Sequence, residues 1–181
     1  GVKVAILDTA FEPSNSVFRG NIYYTLSFRS NDKNIMAGDI EHGNAVTEIV
    51  ARIAPKTKII LVNFQTDVEY IKALKELINM TGNKKPDVIV TAVNIILPDD
   101  YYDGSGIRAG LARLAREKGI TIVSSAGNNG QTHYMGAFHD TNGNSLNNFT
   151  SRDDTLEVEL KRGDRIRVVM SWKDNWNNPS S

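Results

Sequence analysis

The chain has no cysteine among its 181 residues. That absence removes disulfides, thiolate nucleophiles and cysteine-rich zinc sites together. It leaves the compartment open, because a domain of this size can be stable without disulfides even under oxidising conditions. Net charge is absent too: 21 basic and 21 acidic side chains cancel. A neutral sum supplies no overall field to recruit nucleic acid or an anionic membrane, so neither is expected as a partner. No apolar run approaches the ~20 residues that span a bilayer. No basic amino-terminal stretch leads into an apolar core, so no signal peptide is visible. Internal repeats and low-complexity tracts are missing as well. What remains, 40% hydrophobic and 23% charged residues, is an ordinary globular composition. The length fits one domain, or one domain and part of another.

Up to about Gly130, short apolar runs alternate with helical periodicity. Val2 to Leu7 is a nearly continuous apolar run, which predicts a strand buried on both faces. Ile22 to Arg29 alternates, with Ile22, Tyr24, Leu26 and Phe28 on one side, as a half-buried strand does. From His42, the residues Val46, Ile49, Val50 and Ile53 fall on one helical stripe that Pro55 closes. Lys58 to Phe64 is another buried strand. Asp67 can cap a helix whose stripe is Val68, Ile71, Leu74, Leu77 and Ile78, ended by Gly82. Asp87 to Ile96 is a third apolar run. Gly106 to Lys118 is helical through Ile107, Leu111, Leu114 and Ala115, with Gly119 at its cap. Thr121 to Ser125 is the next strand. This order predicts an α/β domain over residues 1–130: a doubly wound, mostly parallel sheet with helices on both faces.

After Gly130 the pattern changes. Residues 133–150 are rich in Gly, Asn, Asp and Thr. Thr155 to Leu160 and Arg165 to Trp172 then alternate around Lys161-Arg-Gly-Asp164, which predicts an antiparallel hairpin. A two-stranded ribbon is marginal alone. Residues 131–181 are therefore expected to be the start of an inserted β-rich domain, truncated in this chain, with Asn175 to Ser181 as a loop.

Three polar groups close hydrophobic stretches. Asp8 ends the first strand, where a carboxylate is usually a turn or cap but can also hold an imidazole in one tautomer. His42 starts a helix near the mouth of the sheet, where open α/β folds bind ligands. Asn128 follows Ala126-Gly127 beyond a buried strand; the pattern suits an ordinary turn, or an amide that donates to an oxyanion. His133 and His139 lie in the loop-rich region and read as surface or hydrogen-bonding groups. Ser105, within Gly-Ser-Gly, lacks the strand-elbow-helix setting of a nucleophile. Asp140-Thr-Asn-Gly-Asn144 hints at calcium, yet its glycine stands at the fourth position instead of the sixth of an EF-hand loop, so a plain turn is expected. Asn79-Met-Thr81 and Asn148-Phe-Thr150 fit the glycosylation pattern, which is common by chance.

Asp8, His42 and Asn128 in this order, with a buried strand before each outer one, resemble the amino-terminal two-thirds of a subtilisin-like serine peptidase. Ala45 to Val50, Ala54-Pro55 and Ile59 to Val62 resemble a branch whose histidine helix runs into an Ala-Pro turn and a strand. Lys85 to Ile89 resembles the strand leading to the substrate edge, and Asp103 to Gly106 the lead-in to the next helix. Tyr134 to Phe138 and the Trp172 hairpin resemble a β-rich insertion carried by some members.

The resemblance implies a peptide or protein substrate, with Asp8 and His42 as catalytic residues and Asn128 in the oxyanion hole. Ser125, Ala126 and Gly127 would line the substrate cleft. No cofactor or catalytic metal is implied; the resemblance allows structural calcium, frequent in the family, although no convincing site for it stands out here. A secreted or cell-surface location follows from the resemblance alone, and oligomeric state does not follow at all. The nucleophilic Gly-Thr-Ser segment is not in this sequence, so it is expected downstream and the chain alone is expected to be inactive. Ala10, Asn44, Ala45 and Glu48 depart from the family's usual residues, and no Ser-Leu-Gly edge is evident near Ala92-Val93-Asn94. These departures keep a second reading open, a non-catalytic scaffold or binding protein. A nucleotide-binding domain is a weaker third, because Asp8-Thr9-Ala10-Phe11 replaces a glycine-rich phosphate loop.

Overall fold

The computed structural model describes residues 1–93, 104–151 and 153–172. The chain divides into two units, one made of residues 1–127 rejoined from Val169 onward, the other of residues 128–168. The first unit contains β1 (Lys3–Asp8), β2 (Ile22–Ser27), α1 (Ile40–Ile53), β3 (Lys58–Asn63), α2 (Asp67–Asn79), β4 (Val88–Thr91), α3 (Ile107–Glu117) and β5 (Thr121–Ser124). The strands form one sheet in the order β2-β3-β1-β4-β5, and every pairing is parallel.

The run at residues 2–7 is central for the reason its composition suggests: Ala5, Ile6 and Leu7 are fully buried. Val4 and Ile6 pack with Ile59, Leu61, Phe11, Phe18 and Ala51 of α1. Ala5 and Leu7 pack instead with Ile60, Val62, Leu74 and Leu77 of α2 and Ala115 of α3. Helices therefore cover both faces, which is the expected doubly wound α/β arrangement. Full burial of each Ile or Leu contributes ~1.5–3 kcal/mol. Together these residues offset the cost of ending the same strand on a buried carboxylate, Asp8.

Details depart from the sequence pattern where tertiary contact overrides periodicity. The buried residues of α1 are Gly43, Thr47 and Ala51, while Ile49 and Ile53 are 59% and 80% exposed. Small residues face inward because the helix lies so close to the turn after β1 that a Cβ at Gly43 would collide with the Ala10 carbonyl oxygen. In β2 a register shift between Ile22 and Tyr24 sends Ile22 to the α1 side and Tyr24 and Leu26 to the other, so the expected single face is split. Helix α2 is capped by Thr66, not Asp67, through a capping box with Glu69. Val68 is exposed. The helix ends at Asn79, before Gly82. The β4 run is a strand only to Thr91, and its residues from Asn94 lie outside the described ones.

In the expected hairpin the turn is present. The Asp164 N–H donates to the Lys161 carbonyl at 3.0 Å, and the Lys161 N–H to Asp164 Oδ2 at 2.8 Å. Among the described residues its arms form no ladder, and Leu156, Val158, Leu160 and Ile166 are at least half exposed. An unsupported ribbon has too little buried surface to hold two strands together. The antiparallel pairing found in this region is the bridge Thr150↔Asp153. The loop expected over residues 175–181 lies outside the described residues.

Candidate active site

A parallel sheet delivers the carboxyl ends of all its strands to one edge, and Asp8 is the last residue of the central strand. Its carboxylate is fully buried. Oδ1 accepts the Thr9 N–H at 2.7 Å, and Oδ2 lies 2.7 Å from His42 Nδ1. A carboxylate offers only acceptors, so the shared proton belongs to Nδ1 and Nε2 is left as the basic ring nitrogen. The His42 side chain is 53% exposed against 1% for Asp8. The pair is thus a buried acceptor holding a ring whose outer part meets solvent.

Helix α1 places His42 in its first turn, having started at Ile40 instead of at His42. The cap is Asp39, whose side chain accepts the Glu41 N–H at 2.9 Å. Thr9 Oγ1 reaches both the Asp39 carbonyl, at 2.9 Å, and Asp8 Oδ1, at 3.4 Å. A hydroxyl has one proton to give, and the shorter contact takes it. Thr9 therefore ties the end of β1 to the start of α1. Gly43 completes the close approach, and Thr47 Oγ1 donates back to the Gly43 carbonyl at 2.7 Å.

Two residues that depart from the family pattern have positions in this framework. Asn44 Oδ1 accepts the Glu12 N–H at 2.9 Å, and Glu48 Oε1 accepts from Asn15 Nδ2 at 3.0 Å. Both secure the connection after β1. Glu69 is not evident from the sequence because it reads as an ordinary helix residue. It is buried, and its carboxylate accepts the N–H groups of Ser30 at 2.6 Å, Gln65 at 2.8 Å and Thr66 at 3.0 Å, together with the Ser30 hydroxyl. Burial alone would raise its pKa; the bonds from Ser30, Gln65 and Thr66 outweigh burial and carry it from 4.5 to about 2. A depressed carboxylate stabilises the fold fully above its unfolded value and loses that contribution as pH falls through its folded value. Stability should therefore decline between about pH 4.5 and about pH 2. In Glu69→Gln that part of the decline should vanish, with a loss of about 3 kcal/mol at neutral pH from the donors left unpaired. Urea unfolding across this pH range checks both.

The Ser125 N–H donates to the Thr91 carbonyl at 3.1 Å, just past β5. Ser125 and Ala126 border an open cavity of about 370 Å³, lined among the described residues also by Thr91, Tyr70 and Arg108. Gly127 has φ +81, a left-handed conformation that suits glycine. Asn128 is the first residue of the second unit. His133 Nδ1 lies 2.8 Å from the Asn129 carbonyl, and the His139 backbone N–H donates to Asn147 at 3.0 Å. Both histidines are exposed. Ser105 precedes Gly106, the cap of α3. Asp140 accepts the N–H groups of Gly143, Asn144 and Ser145. These three donors close the turn that follows Asp140. Among the described residues no group of three or more His, Asp or Glu is arranged to hold a metal ion.

Fold and site together define an α/β domain in which a carboxylate orients an imidazole at the carboxyl edge of a parallel sheet. The chain belongs to the subtilase family, whose Peptidase S8 model matches residues 1–156. It is similar in structure to a lanthipeptide protease, at 21% identity and a TM-score of 0.57 over 71% of this chain and 40% of that one. It is also similar to the epidermin leader peptide processing serine protease EpiP from Staphylococcus aureus, at 17% identity and a TM-score of 0.50 over 71% of this chain and 37% of that one. At these identities the likeness shows the fold, and the chain spans about two-fifths of either structure's length. No curated protein matches the chain.

Proposed function

We propose that this chain is the Asp/His half of a serine endopeptidase, and that the nucleophilic serine is supplied by polypeptide downstream of Ser181. The observation that carries the reading is the 2.7 Å pair between buried Asp8 and solvent-facing His42. In the intact protein the serine Oγ attacks the peptide carbonyl carbon while its proton passes to His42 Nε2. Asp8 holds the ring in the required tautomer and stabilises it while it is charged. The Asn128 amide, with a backbone N–H, holds the oxyanion. The proton then goes to the leaving amine, and water repeats the sequence on the acyl-enzyme. These steps need no redox or nucleotide cofactor.

An open region of the sheet supports a downstream contribution. Val90 and Val123 are register partners on the α1 side. Exposure on that side grows from fully buried Ile6 on β1 to 51% at Val123 on β5. An element carrying the serine would find uncovered apolar surface there, beside α1. The names of the two similar structures, both proteases, support a peptide as substrate.

Asn44 and Glu48, two of the departures behind the scaffold reading, both hold the turn beside the dyad. The 181-residue chain alone is expected to cleave no peptide. In subtilisin, which uses the same three-residue chemistry, loss of the serine costs about 2 × 10⁶ in kcat. Cleavage by the purified chain that disappears in His42→Ala would overturn the proposal.

A further inference from the structure

Asn63 ends β3 and is the register partner of Asp8 on the neighbouring strand. It is fully buried. Its Nδ2 donates to the carbonyl oxygens of Asn34 at 3.0 Å and Ile35 at 3.2 Å. Its Oδ1 is buried as well and accepts no hydrogen bond among the described residues. A buried acceptor without a donor is a cost to stability, and an apolar side chain of similar size would avoid it.

What the amide holds is the connection from β2 to α1. The Ile35 carbonyl also accepts the Phe11 N–H at 3.0 Å, and the Asn63 carbonyl accepts the Phe28 N–H at 2.9 Å. The connection is therefore gripped on leaving β2 and again at Asn34 and Ile35. It then turns through Gly38, at φ +130, into Asp39, the cap of α1. Two carbonyl oxygens converging on one side chain call for two N–H donors on one nitrogen, which an amide has. A carboxylate would face their lone pairs beside the Asp8 charge, and a leucine would offer nothing.

We propose that Asn63 is a positioning residue for the Asp8–His42 pair: from the strand beside Asp8 it fixes where α1 begins, and hence where the imidazole sits. The inference rests on the reading of that pair as a working dyad. Loss of the amide donors frees the connection, and the ring then samples positions in which Nδ1 and Oδ2 are apart.

The test is proton NMR of the 181-residue chain with labelled histidine. The His42 Nδ1 proton should resonate far downfield and be protected from exchange by its bond to Asp8. In Asn63→Leu the circular dichroism should be retained, while this proton exchanges faster by about tenfold or more or is lost from the spectrum. Asn63→Thr, which keeps one donor, should fall between. Ile59→Val, a small deletion in the same strand, should lower the unfolding midpoint and leave the resonance alone. An unchanged resonance in the folded Leu and Thr variants would overturn the assignment, as would an equal change in Ile59→Val. A chain that shows no protected Nδ1 proton even before substitution would instead refute the dyad itself.

Discussion

Gly43→Ala is expected to dislodge α1 and destabilise the first unit by about 3 kcal/mol, at the high end for an overpacked core position. Ordinarily the substitution would help, since alanine is favoured over glycine inside a helix by ~1 kcal/mol. Here the new Cβ would collide with the Ala10 carbonyl oxygen and stand 3.0 Å and 3.1 Å from two atoms of the Phe11 ring. Phe11 is fully buried, so neither neighbour can swing away cheaply. The helix must move, and His42 moves with it. Thermal unfolding should show a midpoint lower by about 6–12 °C. Gly110 provides the control. It lies within α3, and its nearest external atom to an added Cβ is the end of the Arg113 side chain at 3.9 Å. Gly110→Ala should therefore leave the midpoint unchanged or raise it.

Asp8→Asn should abolish nearly all activity of the intact protein while leaving it folded. The new side chain keeps an oxygen for the Thr9 N–H, now held at 2.7 Å, so the turn after β1 survives. Its NH₂ would face His42 Nδ1, which then has to accept, and the ring proton moves to Nε2. That nitrogen can no longer take a proton from a nucleophile. The analogous change in a Ser-His-Asp peptidase lowers kcat by about 10⁴, and a similar loss is expected here. Steady-state hydrolysis of a peptide substrate measures it, and circular dichroism separates it from unfolding. A loss of tenfold or less would mean that the carboxylate does not orient the base.

The strands are legible in the sequence because β1, β3 and β4 are short apolar runs, and the Asp8–His42 pair is legible because Asp8 ends the first run and His42 stands at the start of a helical stripe. Local patterns carry that much. The inward face of α1 is not legible, since the bulky Ile49 and Ile53 are left outside while Gly43, Thr47 and Ala51 are selected by how near the helix must come to Ala10. The switch of Ile22 to the other side of the sheet depends on a bulge that strict alternation hides. Asn63 and Glu69 escape a sequence reading because their partners, Asn34, Ile35 and Ser30, are 28–39 residues away along the chain. Hydrogen bonds of that span leave no periodic trace. The arms around Lys161 to Asp164 show the reverse failure: good alternation, but no packed surface to make it a ladder.

The most direct measurement is the location of a covalent fluorophosphonate adduct, read by mass spectrometry after digestion of the intact protein. One labelled serine is expected, outside residues 1–181, whose labelling is lost in His42→Ala and in Asp8→Asn. An adduct on Ser105, Ser124, Ser125 or any other serine of this chain would contradict it, and so would an intact protein that takes up no label.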